Sequence, residues 1–193
     1  MDYKVYLGVL AIAVGLIGYV PYFRTIFNGK TKPHAFSWLV WGVLTGIAYG
    51  GQIEGHGGPG SWITAFTALV CFTIFSLSLL KGERDFPLAD WLCLIGCFFA
   101  IILWIFTKNP LSAIIIITVV DMLAFVPTFR KSYLKPNSET SFTYTMSSLK
   151  FFIAIIALHR FSAVTVLYPA SLVITNGVFV VMLLMRRNRL NII

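Results

Sequence analysis

The chain has 193 residues, of which 58% are hydrophobic and only 11% are charged, a balance far more apolar than that of an ordinary soluble domain. This composition argues against a soluble enzyme and against a nucleic-acid-binding domain, although the net charge is +8. It indicates an all-α integral membrane protein.

Seven stretches with few or no charges follow one another along the chain. Each has roughly the 17 to 25 residues that a helix needs to cross the hydrocarbon of a bilayer. In chain order they cover 5–23, 35–53, 57–80, 91–107, 110–129, 140–158 and 161–185. Their connections are short and leave no room for a soluble catalytic domain. We therefore predict seven transmembrane helices, in the plasma membrane or a bacterial inner membrane.

The basic residues predict the orientation of these helices. If the N-terminus lies outside, the outer side carries only Lys4, Lys108 and Arg160. The inner loops and tail then carry Arg24, Lys30, Lys32, Lys81, Arg84, Arg130, Lys131, Lys135, Arg186, Arg187 and Arg189. This bias follows the positive-inside rule, so the N-terminus is predicted outside and the C-terminus in the cytoplasm.

One stretch of the sequence occurs twice. VPYFRTIFNGKTKPHAFSW at 20–38 returns 106 residues later as VPTFRKSYLKPNSETSFTY, with five identities in nineteen positions. The same offset carries the second predicted span onto the sixth and the third onto the seventh. We predict two parallel three-helix units, 1–83 and 109–193, joined by a linker helix within 84–108.

Each unit has a proline near the inner end of its first helix, Pro21 and Pro127. A proline inside a helix removes one hydrogen bond and bends the backbone, so the two prolines are predicted to act as hinges. Arg24 and Arg130 follow three residues later. They are predicted to anchor the inner mouth among lipid headgroups or to serve as a cytoplasmic gate.

The 3+1+3 layout, the paired prolines and the basic loop before the second helix of each unit resemble the SWEET sugar transporters and the wider PQ-loop superfamily. The Pro-Gln of that superfamily reads Pro21-Tyr22 in the first unit and Pro127-Thr128 in the second. The resemblance implies a midplane pocket between the units and alternating access by rocking them. It also implies that Asn176 borders the pocket, because an Asn occupies the corresponding position in SWEETs.

Two charged residues lie inside predicted spans of the second unit. Asp121 is placed in the fifth span, where a carboxylate costs a few kcal/mol or more unless it faces water or a partner. It is predicted to couple a proton or cation or to contact a polar substrate; the alternative is an Asp held by a neighbouring helix. Lys150 in the sixth span either pairs with Asp121 or faces a water-filled cavity and holds an anionic group.

Trp38 and Trp41 lie one turn apart in the second span and are predicted to form an aromatic wall of the pocket. The same WxxW spacing occurs in PnuC-type vitamin transporters, to which the layout is also similar. The alternative for Trp38 is the inner interfacial belt.

Glycines 42, 46 and 50 predict a face of the second span that packs closely on another helix. The glycine-rich loop 54–60 is predicted to be too flexible to form a site. The three histidines are scattered, so no metal centre is expected.

These features predict a transporter of a small polar, sugar-like solute, with no cofactor; coupling to protons and assembly into a homo-oligomer stay open. Two alternatives remain, a proton-coupled amino-acid or vitamin transporter of the PQ-loop type and a membrane receptor resembling the KDEL receptors. An enzyme is not expected, because no paired carboxylates and no nucleophile with a neighbouring base occur. A rhodopsin is not expected either, because the seventh span has no lysine for a retinal Schiff base.

Overall fold

The computed structural model describes residues 2–29, 33, 35–81, 88–134, 136 and 141–190, and no strand occurs among them. The helices are α1 (Tyr3–Phe27), α2 (Ala35–Glu54), α3 (Trp62–Lys81), α4 (Leu88–Thr107), α5 (Pro110–Leu134), α6 (Ser141–Ile156) and α7 (Ala163–Arg189); a short 3-10 helix, Gly58–Ser61, precedes α3. Four of the predicted inner basic residues, and one histidine, lie outside the described residues: Lys30, Lys32, Arg84, Lys135 and His34.

Four helical segments of the described chain are long and apolar enough to cross a membrane, namely Tyr3–Phe27, Gly58–Leu80, Pro110–Leu134 and Ala163–Arg189. The all-helical fold and these segments are compatible with a membrane protein. The helices that contain Pro21 and Pro127 continue past these prolines, so α1 and α5 run for 25 residues each and end later than the predicted spans. In contrast, α6 has only 16 residues and ends before the predicted limit of 158.

The contacts between helices follow a twofold pattern. Within the first three helices, α3 packs on both α1 and α2; within the last three, α7 packs on both α5 and α6. Between the two sets, α6 packs on α1 and α3, while α2 packs on α5 and α7. If α1 is replaced by α5, α2 by α6 and α3 by α7, and vice versa, the same pairs of helices are in contact. Helix α4 packs on α2 and α5 and has no counterpart.

Each set of three helices also contains an aromatic cluster. In the first set, aromatic side chains surround a small core of Ile26, Val70 and Ile74; they come from Tyr19, Tyr22, Phe23, Trp38 and Phe66. In the second set, ring centroids 4.3 to 5.8 Å apart join Phe125, Phe129, Tyr144 and Phe179. Three members of the first cluster correspond to members of the second at the 106-residue offset: Tyr19 to Phe125, Phe23 to Phe129 and Trp38 to Tyr144.

Side chains tie several helices together at one end of the bundle, which we call the Lys4 end. Lys4 Nζ donates to the carbonyl oxygen of Leu158 at 2.6 Å and so joins the start of α1 to the segment after α6. Gln52 Nε2 donates to the carbonyl oxygen of Thr165 at 3.1 Å, which joins the end of α2 to the start of α7. This end of the bundle is therefore closed by bonds between the first and the last three helices.

The glycine-rich loop at the Lys4 end is ordered, so the prediction that it is flexible is wrong. Its last residues form the 3-10 helix, in which Pro59, Gly60 and Ser61 are buried. A β-carbon added at Gly60 would lie 2.5 Å from the carbonyl oxygen of Ala154. Gly60 allows the backbone of the 3-10 helix to pack directly on the backbone at the end of α6, because it has no side chain to separate them.

Asp2 links the start of α1 to the loop between α6 and α7. Its carboxylate caps α1 by accepting from the backbone N–H of Lys4 at 3.0 Å, and its Oδ2 lies 2.8 Å from His159 Nε2. The Lys4 N–H is the main cause that lowers the pKa of Asp2 below its ordinary value, and His159 adds to it. Because the pKa of Asp2 is lower in the folded state, its ionised carboxylate stabilises the folded protein above about pH 4. This stabilisation is lost as the carboxylate is protonated at lower pH.

We expect Asp2→Ala to lower the unfolding temperature at neutral pH more than Asp2→Asn does. Asparagine caps a helix about as well as aspartate but carries no charge for His159, whereas alanine loses both interactions. Thermal unfolding of wild type and both variants, repeated as the pH is lowered toward about 3, checks this. The difference between wild type and Asp2→Asn should shrink on acidification; a difference that is independent of pH would contradict the charged role.

Candidate functional site

The first and the last three helices meet along two seams. We call the contact of α1 and α3 with α6 the first seam, and the contact of α2 with α5 and α7 the second seam. A buried cluster of Ala11, Ile63, Phe151 and Ala154 fills part of the first seam. A larger cluster, to which α4 also contributes, fills the second. Of the charged residues predicted for the pocket, Lys150 lies at the first seam and Asp121 lies on α5, a helix of the second.

Lys150 is buried at the first seam, with only 3% of its surface exposed. Its Nζ donates to the hydroxyl of Tyr19 on α1 at 3.0 Å and to Oγ1 of Thr67 on α3 at 3.1 Å. The ammonium also lies over two aromatic rings, 4.4 Å from the centroid of Tyr19 and 4.9 Å from that of Phe151. The side chain thus reaches from one set of helices into the other.

The predicted ion pair between Lys150 and Asp121 is not formed. Lys150 extends past the bare backbone of Gly15, where an added β-carbon would lie 3.6 Å from its Cδ, and so its ammonium points toward α1 and α3. Asp121 belongs to α5, which packs instead on α2, α4 and α7. Lys150 therefore lies at the first seam, while Asp121 lies on a helix of the second.

Asp121 is 9% exposed, and within the described part of the chain its carboxylate has no hydrogen bond or ion pair. Tyr168 on α7 and Cys71 on α3 are close enough to interact with it electrostatically. Burial removes most of the water around this carboxylate. A carboxylate can accept a proton or a cation, and the coupling role of Asp121 stays a prediction.

The two tryptophans of α2 contact each other edge to face, with ring centroids 5.3 Å apart. Trp38 donates from Nε1 to the hydroxyl of Tyr22 at 3.3 Å, and it belongs to the aromatic cluster of the first three helices. Trp41 packs against the large core of the second seam. The structure thus places Trp41 nearer to the seam, while Trp38 connects α2 to α1.

Asn176 is 7% exposed on α7, and its Nδ2 donates to the carbonyl oxygen of Leu172 one turn earlier at 2.7 Å. One amide hydrogen is thus used within its own helix. The second amide hydrogen and the Oδ1 atom make no hydrogen bond with the described residues.

The remaining predicted residues are two arginines, two prolines and the glycine face of α2. Arg24 and Arg130 are exposed, and Arg130 lines a cavity of about 450 Å³ between α5 and α7 together with Phe129, Tyr133, Leu134 and Met182. Pro21 is exposed within α1, and Pro127 lies within α5. Of the predicted glycine face, Gly42 packs on Phe72 and Gly50 on Trp104, but Gly46 has nothing within 4 Å of an added β-carbon.

Tyr19 and Thr67, the hydrogen-bond partners of Lys150, were not predicted from the sequence. Gln52 was also missed: it is 1% exposed, and its Oε1 has no hydrogen-bond partner in the described residues. The available signal was a polar side chain inside an apolar span, a feature that all three share. Among the polar residues inside the spans, formal charge selected Lys150 and Asp121 and the family resemblance selected Asn176, whereas these three residues were passed over.

Comparisons of the chain with protein-family models, with curated proteins and with solved structures gave no match. No group of three or more His, Cys, Asp or Glu side chains that could hold a metal ion occurs in the described part of the chain.

Proposed function

We propose that the protein is an integral membrane transporter of a small polar solute, built as two parallel three-helix units joined by α4, with its N-terminus outside. The observation that carries the proposal is the twofold pattern of helix contacts, which is the pattern expected of two copies of one three-helix unit. The sequence repeat, whose two copies are 106 residues apart, supports the proposal independently.

The seams between the units are where a transporter of this kind would bind its solute. Ionisable residues inside a membrane are expensive and mark substrate or ion pathways. Lys150 occupies the first seam, Asp121 is buried on a helix of the second, and Trp41 and Asn176 supply a ring and an amide on neighbouring helices. Rocking the units would change the surroundings of both charges, because each seam would open on one side as it closes on the other.

The bonds at the Lys4 end support a state that is closed toward the outside. Lys4 with Leu158 and Gln52 with Thr165 each link one unit to the other, one at each seam. In alternating access, these bonds would break when the outer side opens.

A ligand screen by thermal unfolding tests the proposal first, because a solute that binds only the folded protein raises its unfolding temperature. The detergent-purified protein is heated with sugars, nucleosides, vitamins and amino acids. A solute that stabilises the protein is then followed into proteoliposomes. Binding without any uptake would reject transport and favour the receptor alternative.

We expect Trp41→Ala to weaken binding of the stabilising solute about tenfold, the loss of roughly 1.4 kcal/mol of ring contact. Trp91→Ala is the matched control, because Trp91 lies on α4 and is half-exposed. It should leave the ligand-induced shift unchanged. Equal losses in the two variants would remove Trp41 from the binding site.

A further inference from the structure

The cluster around Lys150 has more hydrogen-bond donors than acceptors. An ammonium has three N–H donors and no acceptor, and each hydroxyl has one donor. The oxygens of Tyr19 and Thr67 both accept from Lys150, so their own hydrogens point away from its Nζ. The cluster thus has a positive charge and a surplus of donors.

No carboxylate in the described residues balances this charge. The ion pair with Asp121 is absent, and the contacts of the ammonium are two hydroxyls and two ring faces. Burying an ammonium costs several kcal/mol unless it is paired, and neutral groups offset only part of this cost. A buried cation with neutral partners is therefore a site to which an anion would add a large favourable interaction.

We propose that the Lys150 cluster binds the carboxylate group of the transported solute. This inference rests on the proposed transport function and narrows its substrate class to small organic anions. A carboxylate has two acceptor oxygens in one plane, which suits one ammonium and the adjacent hydroxyls of Tyr19 and Thr67. The ammonium makes no ion pair with Asp121; its contacts are the two hydroxyls and two ring faces.

The position of the cluster connects binding to movement. Lys150 belongs to the second unit, whereas Tyr19 and Thr67 belong to the first. An anion held by all three would contact both units at once and would replace the direct bonds between them. Binding would therefore change the free energy of the contact between the two units at the first seam, along which they move.

The test compares the sodium salts of acetate, lactate and benzoate with the matched neutral amides in thermal unfolding of the full-length protein. Sodium chloride and sodium phosphate at equal ionic strength control for general salt effects. We expect at least one carboxylate to raise the unfolding temperature while its amide does not, and Lys150→Met to abolish this shift. An equal shift from carboxylate and amide, from chloride, or in Lys150→Met would overturn the proposal.

Thr67→Val provides a test that keeps the lysine, in case Lys150→Met does not fold. It should reduce the carboxylate-induced shift, because one hydroxyl of the cluster is lost. Thr64→Val is its control: Thr64 lies one turn away on α3, and its buried hydroxyl has no partner in the described residues. Equal shifts in wild type and Thr67→Val would count against the cluster.

Uptake into proteoliposomes separates this inference from the proposed function. Uptake of a neutral solute, without any carboxylate-specific stabilisation, would refute the carboxylate site and leave transport standing. Carboxylate-specific stabilisation that depends on Lys150, without uptake of any solute, would retain the site and refute transport.

Discussion

Gly60→Ala should destabilise the protein strongly. The new β-carbon would lie 2.5 Å from the carbonyl oxygen of Ala154, 2.7 Å from the backbone nitrogen of Leu158 and 2.8 Å from its Cα. All three atoms belong to backbone, so no side chain can move aside to make room. We expect a loss of about 3 kcal/mol in the free energy of unfolding, at the upper end of overpacking costs. In a chain of this size that corresponds to a fall of roughly 6 to 12 °C in unfolding temperature.

Gly46→Ala is the matched control for this prediction. Gly46 lies in α2, and nothing is within 4 Å of an added β-carbon. Because alanine favours a helix over glycine by about 1 kcal/mol, the control should be neutral or stabilising. Thermal unfolding of the two purified variants decides the matter. A Gly60→Ala protein as stable as wild type would mean that the 3-10 helix and α6 are not in this close contact.

Asp121→Asn should remove any stimulation of solute uptake by an inward proton gradient. The amide has nearly the shape of the carboxylate but cannot gain or lose a proton, so coupling through this position would end. Coupling between two ligands amounts to about 5- to 150-fold. We expect uptake in the presence of the gradient to decrease by a factor within that range. Uptake into proteoliposomes with and without a proton gradient measures it.

Asp2→Asn makes the same chemical change outside the spans and serves as the control. It should leave the response to the proton gradient unchanged, because Asp2 lies at the start of α1 beside His159. If Asp121→Asn responds to the gradient as wild type does, then Asp121 has no coupling role and is held in place as a structural residue.

Hydrophobicity along the chain predicted the helical class, and the described residues confirm an all-helical fold with four segments long enough to cross a membrane. The helix ends were less well predicted. Helix α1 was expected to end near Phe23 but reaches Phe27, because a single proline removes only one hydrogen bond and the helix can continue beyond it. Composition shows where a helix can form, whereas the position of its last turn depends on the groups that hydrogen-bond to its last backbone carbonyls.

The loop at 54–60 shows a second limit of sequence reasoning. Its glycines predicted flexibility, but four of them lie at a crowded junction; Gly58, for example, has a φ of +63° and packs against His159. Glycine permits both mobility and very close packing. Which of the two occurs depends on the elements that surround it, and here the ends of α2 and α6 lie on either side.

By itself the sequence determined that Asp121 and Lys150 lie inside apolar helices, because their neighbours along the chain are apolar. Only the tertiary structure decided that they form no ion pair and that Lys150 bonds to Tyr19 and Thr67. The physical reason is that a helix position fixes the depth of a side chain but not the direction in which it points. That direction is set by the rotation of the helix against its neighbours, and this rotation depends on packing over the whole bundle.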